Sequence, residues 1–215
     1  IEVKSYSIDN PEADYRATDV VYSSQRTTFA VEHGAQSDGD YATNLLGRGN
    51  ILNITAALAV AEHMGLSVEA RRRAVRQLEQ VEHRLSMRRN GGVTILDDAY
   101  NSNPTGARMA LEVLGGFNTE GARYVVTPGF VEMGAKQYDN NRAFGADIAR
   151  SKADRVYVVN EVNRKAITDG LEDGGYDMSR VSCVASFNEA MAELQPRLKP
   201  GDVVLYENDL PDSFK

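Results

Sequence analysis

From about residue 84 to the end of the chain, short runs rich in valine and isoleucine alternate with segments of helical periodicity. Strands buried on both faces of a parallel sheet read as such uninterrupted apolar runs, and parallel strands are joined by crossovers that usually contain a helix. The alternation therefore predicts an α/β domain whose mainly parallel sheet carries helices on both faces. The predicted strands cover residues 93–96, 124–126, 156–159, 181–184 and 203–206.

The chain up to about residue 83 follows a different pattern, in which short strands precede two helices. Three consecutive arginines, residues 71–73, lie in the second of these helices. Because no aromatic residue interleaves them, we interpret them as a solvated helix face. The change of pattern predicts a boundary between a domain at residues 1–83 and another at residues 84–215. The early strands are predicted at residues 3–8, 20–23, 27–32 and 41–46.

Three signals predict where helices begin. Asn103 and Pro104 fit an N-cap and a first helical residue, where proline costs little because that amide has no partner within the helix. Ser186, with Glu189 three residues later, fits a capping box. Ser67 is predicted to cap the second helix of the first domain.

Composition narrows the classes of protein that the chain can represent. Its 215 residues carry a formal charge of −7, which argues against nucleic acid as a partner, because phosphate backbones are bound through clustered Lys and Arg. No apolar run approaches the roughly 20 residues that cross a bilayer. The single cysteine, Cys183, cannot form an internal disulfide, so we expect a cytoplasmic location. The chain begins at Ile1 in a strand-like run without an initiator Met, and we expect a piece of a longer polypeptide.

Ligands of parallel sheets bind at the carboxyl ends of the strands, and the loop after the first such strand is the most informative. It carries Asp97, Asp98, Tyr100, Asn101 and Asn103. A carboxylate there can accept hydrogen bonds from a ribose or bind a cation, and the asparagine side chains both donate and accept. A turn with a helix cap would need only one asparagine and one aspartate, so we favour ligand binding.

Local physics alone does not decide whether the other strand-end loops bind a ligand. Residues 128–134 contain two glycines and Glu132, which fits either a backbone turn near a ligand or a plain connection. Residues 160–163 follow the next strand. Residues 207–212 bring three acids to another strand end, where they could face a cationic substrate group or nothing.

Three candidates lie outside these loops. Asn50 and Asn53 are three residues apart and fall on one helix face near its start, where they could meet a planar base. Alternatively, Asn50 merely caps the helix. The preceding glycines resemble a dinucleotide fingerprint only faintly, since the third glycine is missing. Arg84 could reach a phosphate or clamp two domains, although its position alone favours an ordinary surface arginine.

Groups for autonomous catalysis are missing from the sequence. No Gly-x-x-x-x-Gly-Lys-Ser/Thr loop occurs, which excludes ATP chemistry by the usual P-loop route within these residues. His33, His63 and His83 show no metal-ligand spacing, and no serine or cysteine lies in a nucleophile context. We therefore predict neither a catalytic residue nor a metal site in the chain.

Taken together, these runs resemble the Mur ligases, the family that builds the peptide stem of bacterial cell-wall precursors. Residues 97–104, Asp-Asp-Ala-Tyr-Asn-Ser-Asn-Pro, are similar to the signature of the family's MurF branch. The resemblance covers the whole chain. It implies that residues 1–83 are the α+β tail of the central ATPase domain and that residues 84–215 are the carboxyl-terminal Rossmann-like domain.

The resemblance also implies an activity. The MurF branch uses ATP and Mg²⁺ to join D-alanyl-D-alanine to a UDP-muramyl peptide through an acyl phosphate, and we expect a monomeric, ATP-dependent ligase that needs a longer chain for its P-loop. The implied nucleotide-binding residues are Asn50, Asn53, Arg84 and Asp98. The implied substrate-positioning residues are Asp97, Tyr100, Asn101, Asn103 and Glu132. A glutamyl-adding ligase, an amidotransferase-associated muramyl ligase and a non-catalytic nucleotide-binding module are the alternatives.

Three positions depart from the family pattern. The histidine that usually precedes the first asparagine is Gly49 here. Asn141 stands where MurF often has a histidine, and residues 207–212 replace the usual Lys-Gly-Ser-Arg ending. The last departure bears on the substrate more than on the reaction class, and it predicts a divergent MurF-like branch.

Overall fold

A computed structural model describes residues 3–100 and 102–209 of the protein. The chain divides into two compact units, Ile1–Gln80 and Val81–Lys215. Within the described ranges, no helix combines the length and the apolar character that crossing a membrane requires.

In the first unit, the residues that the structure describes form four strands followed by two helices, in the predicted order. They are β1 (Tyr6–Ser7), β2 (Tyr15–Ser23), β3 (Thr27–His33), β4 (Gln36–Thr43), α1 (Arg48–His63) and α2 (Val68–Arg76). The strands lie side by side in chain order, with β1 parallel to β2 and the other pairs antiparallel. Three predicted strands have wrong bounds. β2 begins at Tyr15, five residues before its predicted start at residue 20. The strand predicted at residues 3–8 is only two residues long, and β4 begins at Gln36, because a tight turn at Gly34, whose φ is 58°, pairs His33 with Gln36.

The core of this unit lies between the sheet and the two helices. Its helical part consists of apolar residues at three- and four-residue spacing along α1, and Val75 of α2 completes it. The buried apolar side chains are Ala17, Phe29, Val31, Tyr41, Ile51, Ile54, Leu58 and Val75.

The interpretation of the arginine run as a solvated face is wrong for Arg71. Arg71 is only 6% exposed, because it lies one helical turn before Val75 on the buried side of α2. The guanidinium contacts two carboxylates, with 2.7 Å from Nη1 to Glu62 Oε2 and 2.9 Å from Nη2 to Asp38 Oδ2. An arginine is tolerated at such depth because its charge is paired twice.

The described residues of the second unit form seven strands and four helices. The strands are β5 (Ser86–Asn90), β6 (Val93–Asp98), β7 (Phe117–Asn118), β8 (Arg123–Thr127), β9 (Arg155–Val159), β10 (Val181–Val184) and β11 (Val203–Glu207). The helices are α3 (Pro104–Gly116), α4 (Gln137–Arg150), α5 (Arg164–Asp173) and α6 (Phe187–Leu194), with 3₁₀ turns at Gly134–Lys136, Met178–Arg180 and Gln195–Arg197.

Six of these strands form one sheet in the order β10-β9-β8-β11-β6-β5. Every neighbouring pair is parallel except β5 with β6, so the predicted mainly parallel sheet is confirmed. All five predicted strands are present. The antiparallel edge strand β5 was not predicted, because Ser-Met-Arg-Arg-Asn lacks an apolar run.

Side chains of alternate strand residues point to opposite faces, and helices cover both. On one face, Ala190 and Leu194 of α6 pack with Tyr157, Val159 and Val204. On the other face, α3 contacts β6 and β11, and α5 contacts β9. The predicted caps are also present, since Asn103, Ser186 and Ser67 each accept a backbone amide at the start of a helix.

Candidate functional site

A cavity of about 540 Å³ opens at the carboxyl edge of the parallel sheet in the second unit. Val126, Val159 and Tyr206, near the ends of three strands, form part of its apolar wall, and Phe187 at the start of α6 adds an aromatic side chain. Asn208 and other polar residues from the strand-end loops line the rest. The cavity therefore lies where ligands of parallel sheets collect.

Asp97 and Asp98 do not act as a pair, because neighbouring strand residues point to opposite faces of the sheet. Asp97 lines the cavity and is 4% exposed. Its carboxylate lies 3.1 Å from His83 Nδ1, and one oxygen lies 3.5 Å from Arg88 Nη2. The hydrogen bond to Asp97 raises the pKa of His83. In this wall of the cavity, the negative charge of Asp97 is therefore paired with His83 and Arg88.

Asp98 faces the other side of the sheet. Its Oδ1 accepts a hydrogen bond of 2.8 Å from the backbone N–H of Leu85. Burial raises the pKa of Asp98, while the Leu85 hydrogen bond and the nearby charge of Arg84 oppose that rise. Arg84 stacks over the ring of Tyr100, with 4.6 Å from its central carbon to the ring centroid. Three predicted site residues are thus brought together.

The backbone around Arg84 is strained. His83 and Leu85, on either side of it, have φ values of 58° and 49°, a region that residues other than glycine seldom adopt. Two hydrogen bonds hold the segment, from the Tyr100 N–H to the His83 carbonyl at 3.3 Å and from the Leu85 N–H to Asp98. Strain of this kind persists only where the surroundings enforce it, and it clusters at functional sites.

The loop at residues 128–134 is held by two buried asparagines. Asn141 accepts a hydrogen bond of 2.8 Å from the Phe130 N–H and donates to the Phe130 carbonyl at 2.9 Å. Asn163 donates to the carbonyls of Pro128 and Phe130 at 2.9 Å each. A Cβ at Gly129, whose φ is 73°, would lie 2.2 Å from Asn141 Oδ1, so only glycine fits there. Asn141 therefore has a structural role in this loop.

The remaining predicted residues of this unit lie elsewhere. Asn103 is exposed, and its Oδ1 accepts the amides of Thr105 and Gly106 at 3.1 and 3.0 Å, so the side chain serves as the helix cap. Glu132 is exposed in its loop and does not line the cavity. Asn101 lies outside the described residues.

Sequence reasoning missed several residues of the cavity wall. Asn160 and Asn208 lie in strand-end loops that the sequence had singled out, but neither was chosen as a site residue. Asn208 also links two loops at the carboxyl edge of the sheet. Its side chain accepts a hydrogen bond of 3.2 Å from the Ser102 N–H and donates one of 2.6 Å to the Gly129 carbonyl. Arg88 had no such signal, because its strand was not predicted.

In the first unit, Asn50 and Asn53 line a largely apolar groove of about 330 Å³ between α1 and α2. They share one face of the helix, as predicted. The alternative that Asn50 caps the helix is wrong, because α1 begins at Arg48 with Gly47 in the cap position. Asn50 instead donates to the Leu46 carbonyl at 2.7 Å.

Three potential metal ligands, His33, Asp38 and Glu62, also lie together in this unit. The sequence did not reveal the group, since its members come from β3, β4 and α1. The Arg71 guanidinium already contacts both carboxylates, and His33 lies 3.4 Å from Asp38 and 3.2 Å from Glu62. A cation would meet a fixed positive charge there, so we assign the cluster as an ion-pair network.

Comparison with known proteins yields two family matches and several relatives. Residues 83–206 match the Mur ligase, glutamate ligase domain, and residues 1–61 match the Mur ligase middle domain. The chain is 24% identical over 195 residues to the UDP-N-acetylmuramoyl-tripeptide--D-alanyl-D-alanine ligase of Bacillus subtilis, covering 90% of this chain and 42% of that protein. It is 27% identical over 208 residues to the UDP-N-acetylmuramate--L-alanine ligase of Desulforapulum autotrophicum, covering 90% and 43%.

Among solved structures, the fold is similar to that of the MurF ligase from Thermotoga maritima in complex with ADP. The TM-score is 0.76 at 22% sequence identity, and the match covers 96% of this chain and 45% of that one. At this identity the likeness shows the fold alone. The chain spans less than half the length of each of these relatives.

Proposed function

We propose, on the premise that the chain belongs to the Mur ligase family, that it is the carboxyl-terminal half of an ATP-dependent, amide-bond-forming ligase of peptidoglycan precursor synthesis. The complete enzyme would add D-alanyl-D-alanine, or a related amine, to a UDP-N-acetylmuramoyl peptide. The observation that carries the proposal is the position of Asp97, Asp98 and Tyr100, which belong to the signature run, at the carboxyl edge of the sheet that carries the cavity of about 540 Å³. In this reading, residues 1–83 belong to the central domain and residues 84–215 to the carboxyl-terminal domain.

The side chains of the chain suit a nucleotide. Asp98 offers a carboxylate that can accept hydrogen bonds from ribose hydroxyls, and Arg84 offers a planar cation for phosphate. In the first unit, Asn50 and Asn53 present amide groups beside apolar surface, which suits an adenine ring. ATP, with Mg²⁺, would supply the phosphoryl group that activates the substrate carboxylate. The residues of this chain would bind and orient, because it contains no P-loop.

The cavity of the second unit suits the incoming amine. Phe187 and Tyr206 give it an apolar wall, while Asn208 and the ion-paired Asp97 give it hydrogen-bonding groups. Such a mixture holds a small polar molecule with an aliphatic part. Tyr100, exposed at the same edge, is available to contact a substrate. Holding two reactants in one geometry is a large share of what a ligase domain without its own nucleophile can contribute.

Phosphate release by the complete protein tests the proposal. We expect ATP-dependent release that requires both UDP-N-acetylmuramoyl-tripeptide and D-alanyl-D-alanine, and none from the 215-residue chain by itself, which lacks a P-loop. A parallel assay with UDP-N-acetylmuramate and L-alanine distinguishes the other reaction named among the relatives. No release with either pair would contradict the proposal, and robust ligation by the 215-residue chain would contradict the division of labour.

We expect Arg84→Ala to weaken ATP use by the complete protein about tenfold in KM without lowering its melting temperature. The loss of a charge-assisted phosphate contact accounts for that size. Arg89→Ala is the matched control, because Arg89 is an exposed arginine five residues away and should leave the kinetics unchanged. Arg84→Lys should recover the charge but not the planar stacking on Tyr100. Equal kinetics for Arg84→Ala and Arg89→Ala would rule out the nucleotide role.

A further inference from the structure

Glu207, the last residue of β11, is a buried acid with an unusual environment. The residue is 0% exposed, although glutamate is seldom fully buried unless it is paired. Its Oε1 accepts a hydrogen bond from the Ser102 hydroxyl. Its Oε2 is also buried and receives no hydrogen bond from any donor in the described part of the chain. The sequence left open whether this acid faces a cationic substrate group or nothing. In the structure its side chain lies in the interior of the protein.

The group that faces Glu207 is another acid. Glu207 and Asp98 are register partners in the parallel pair β11–β6, so their side chains leave the sheet on the same face. The charge of Asp98 helps to raise the pKa of Glu207, and a direct hydrogen bond between the two carboxyl groups would give Glu207 Oε2 the partner that it otherwise lacks. Two carboxylates can only accept, so such a contact requires that one of the groups carry a proton. Because Glu207 is fully buried, a second negative charge beside Asp98 would be strongly disfavoured.

The surroundings decide which acid holds the proton. Asp98 accepts a hydrogen bond of 2.8 Å from the Leu85 N–H and lies near the charge of Arg84, and both interactions favour its ionised form. Glu207 has only the Ser102 hydroxyl. Burial, followed by the charge of Asp98, raises the pKa of Glu207 well above its ordinary value. The proton therefore belongs on Glu207.

We propose that Glu207 is a positioning residue: as a neutral carboxylic acid it donates a hydrogen bond to Asp98 and holds that carboxylate in the orientation that binds the nucleotide. The inference rests on the proposed function, which makes Asp98 a nucleotide contact. Asp98 is then fixed from two sides, by the Leu85 amide and by Glu207, so it does not have to be reoriented on binding.

The charged groups that face the pair set the expected pH dependence. They are Arg84, which favours the Asp98 anion, and Asp97 on the same strand, which disfavours it. For Glu207 itself the one charged neighbour among the described residues is Asp98. Because the folded state keeps a proton that the unfolded state loses near pH 4.5, stability falls as pH rises from that value toward the raised pKa.

Two substitutions separate a positioning role from a packing role. Glu207→Gln keeps the shape and places an amide donor against Asp98 and an acceptor toward Ser102, so it imitates the protonated acid. Glu207→Leu keeps the volume and removes the donor. We expect ADP to bind the complete protein about tenfold more weakly after Glu207→Leu, and we expect Glu207→Gln to restore most of that loss. The fall of stability above about pH 4.5 should flatten in both variants.

Carboxyl-carbon NMR of the 215-residue chain provides the independent readout. We expect one side-chain carboxyl to titrate well above pH 4.5, and its resonance to be missing in Glu207→Gln. Ordinary titration of every carboxyl, or ADP affinity after Glu207→Leu equal to that of the unmodified protein, would overturn the proposal. Failure of the unmodified complete protein to bind ADP would overturn the proposed function and with it the positioning role. The carboxyl titration would still decide whether the pair shares a proton.

Discussion

Replacing Arg71 by alanine is expected to destabilise the first unit by about 3–5 kcal/mol, the usual cost of removing one partner from a buried ion pair. The guanidinium is the cation that lies between Asp38 and Glu62, at 2.9 and 2.7 Å. Without it, two carboxylates and His33 would remain together with little access to water. Urea unfolding, followed by a probe in the first unit, measures the change in the free energy of unfolding.

Two further arginines of the same helix make matched controls for Arg71. Arg73 is exposed, so Arg73→Ala removes an equal charge at a cost of about 0.5 kcal/mol or less. Arg72 donates two hydrogen bonds to the Gly39 carbonyl, at 3.0 and 2.7 Å, and should give an intermediate loss. A stability ranking in which Arg71→Ala and Arg73→Ala are equal would mean that the buried ion-pair network contributes nothing net to stability.

The Arg71 network shows which part of the fold the sequence could not predict. The periodicity of α2 places residue 71 on the same side as Val75, yet a run of three arginines signals solvent by its composition. What makes the burial possible is the pair of carboxylates on β4 and α1, which are distant in the chain. Sequence patterns predict elements well because their periodicity is local, whereas the partner of a buried charge is a property of the tertiary structure.

The parallel sheet illustrates the predictable part. Its five parallel strands are short segments that each contain Val or Ile, and a helix separates each of them from the next along the chain, so hydrophobicity and topology agree. The edge strand β5 escaped prediction because its stability comes from pairing with β6, not from an apolar face. Similarly, the rule that ligands bind at strand ends located the candidate site, but it did not predict which side chains face the cavity. Successive side chains of a strand point to opposite faces of the sheet, and this alternation was not applied to Asp97 and Asp98.

A second large effect is expected at Asn141, whose substitution by leucine should cost about 3–5 kcal/mol. The side chain is 0% exposed and makes hydrogen bonds with Phe130, Gln137 and Asn163. Leucine would fill nearly the same volume but leave the Phe130 N–H buried without an acceptor, which costs about 1–3 kcal/mol. It would also remove the three hydrogen bonds that the Asn141 amide donates, each worth about 0.5–1.5 kcal/mol. Hydrogen exchange at the Phe130 amide and urea unfolding measure the local and the global effect.

The outcome at Asn141 decides how the departure from the family pattern is to be understood. Asn140→Ala, at a partly buried neighbour whose side chain contacts Met133 Sδ at 3.0 Å, should cost about 1 kcal/mol or less and serves as the control. If Asn141→Leu unfolds as late as the unmodified chain and keeps the Phe130 amide protected, the hydrogen bonds are dispensable and residue 141 is free for a role in ligand binding. If stability and protection are both lost, Asn141 holds the loop at residues 128–134, and its departure from the family pattern has a structural explanation.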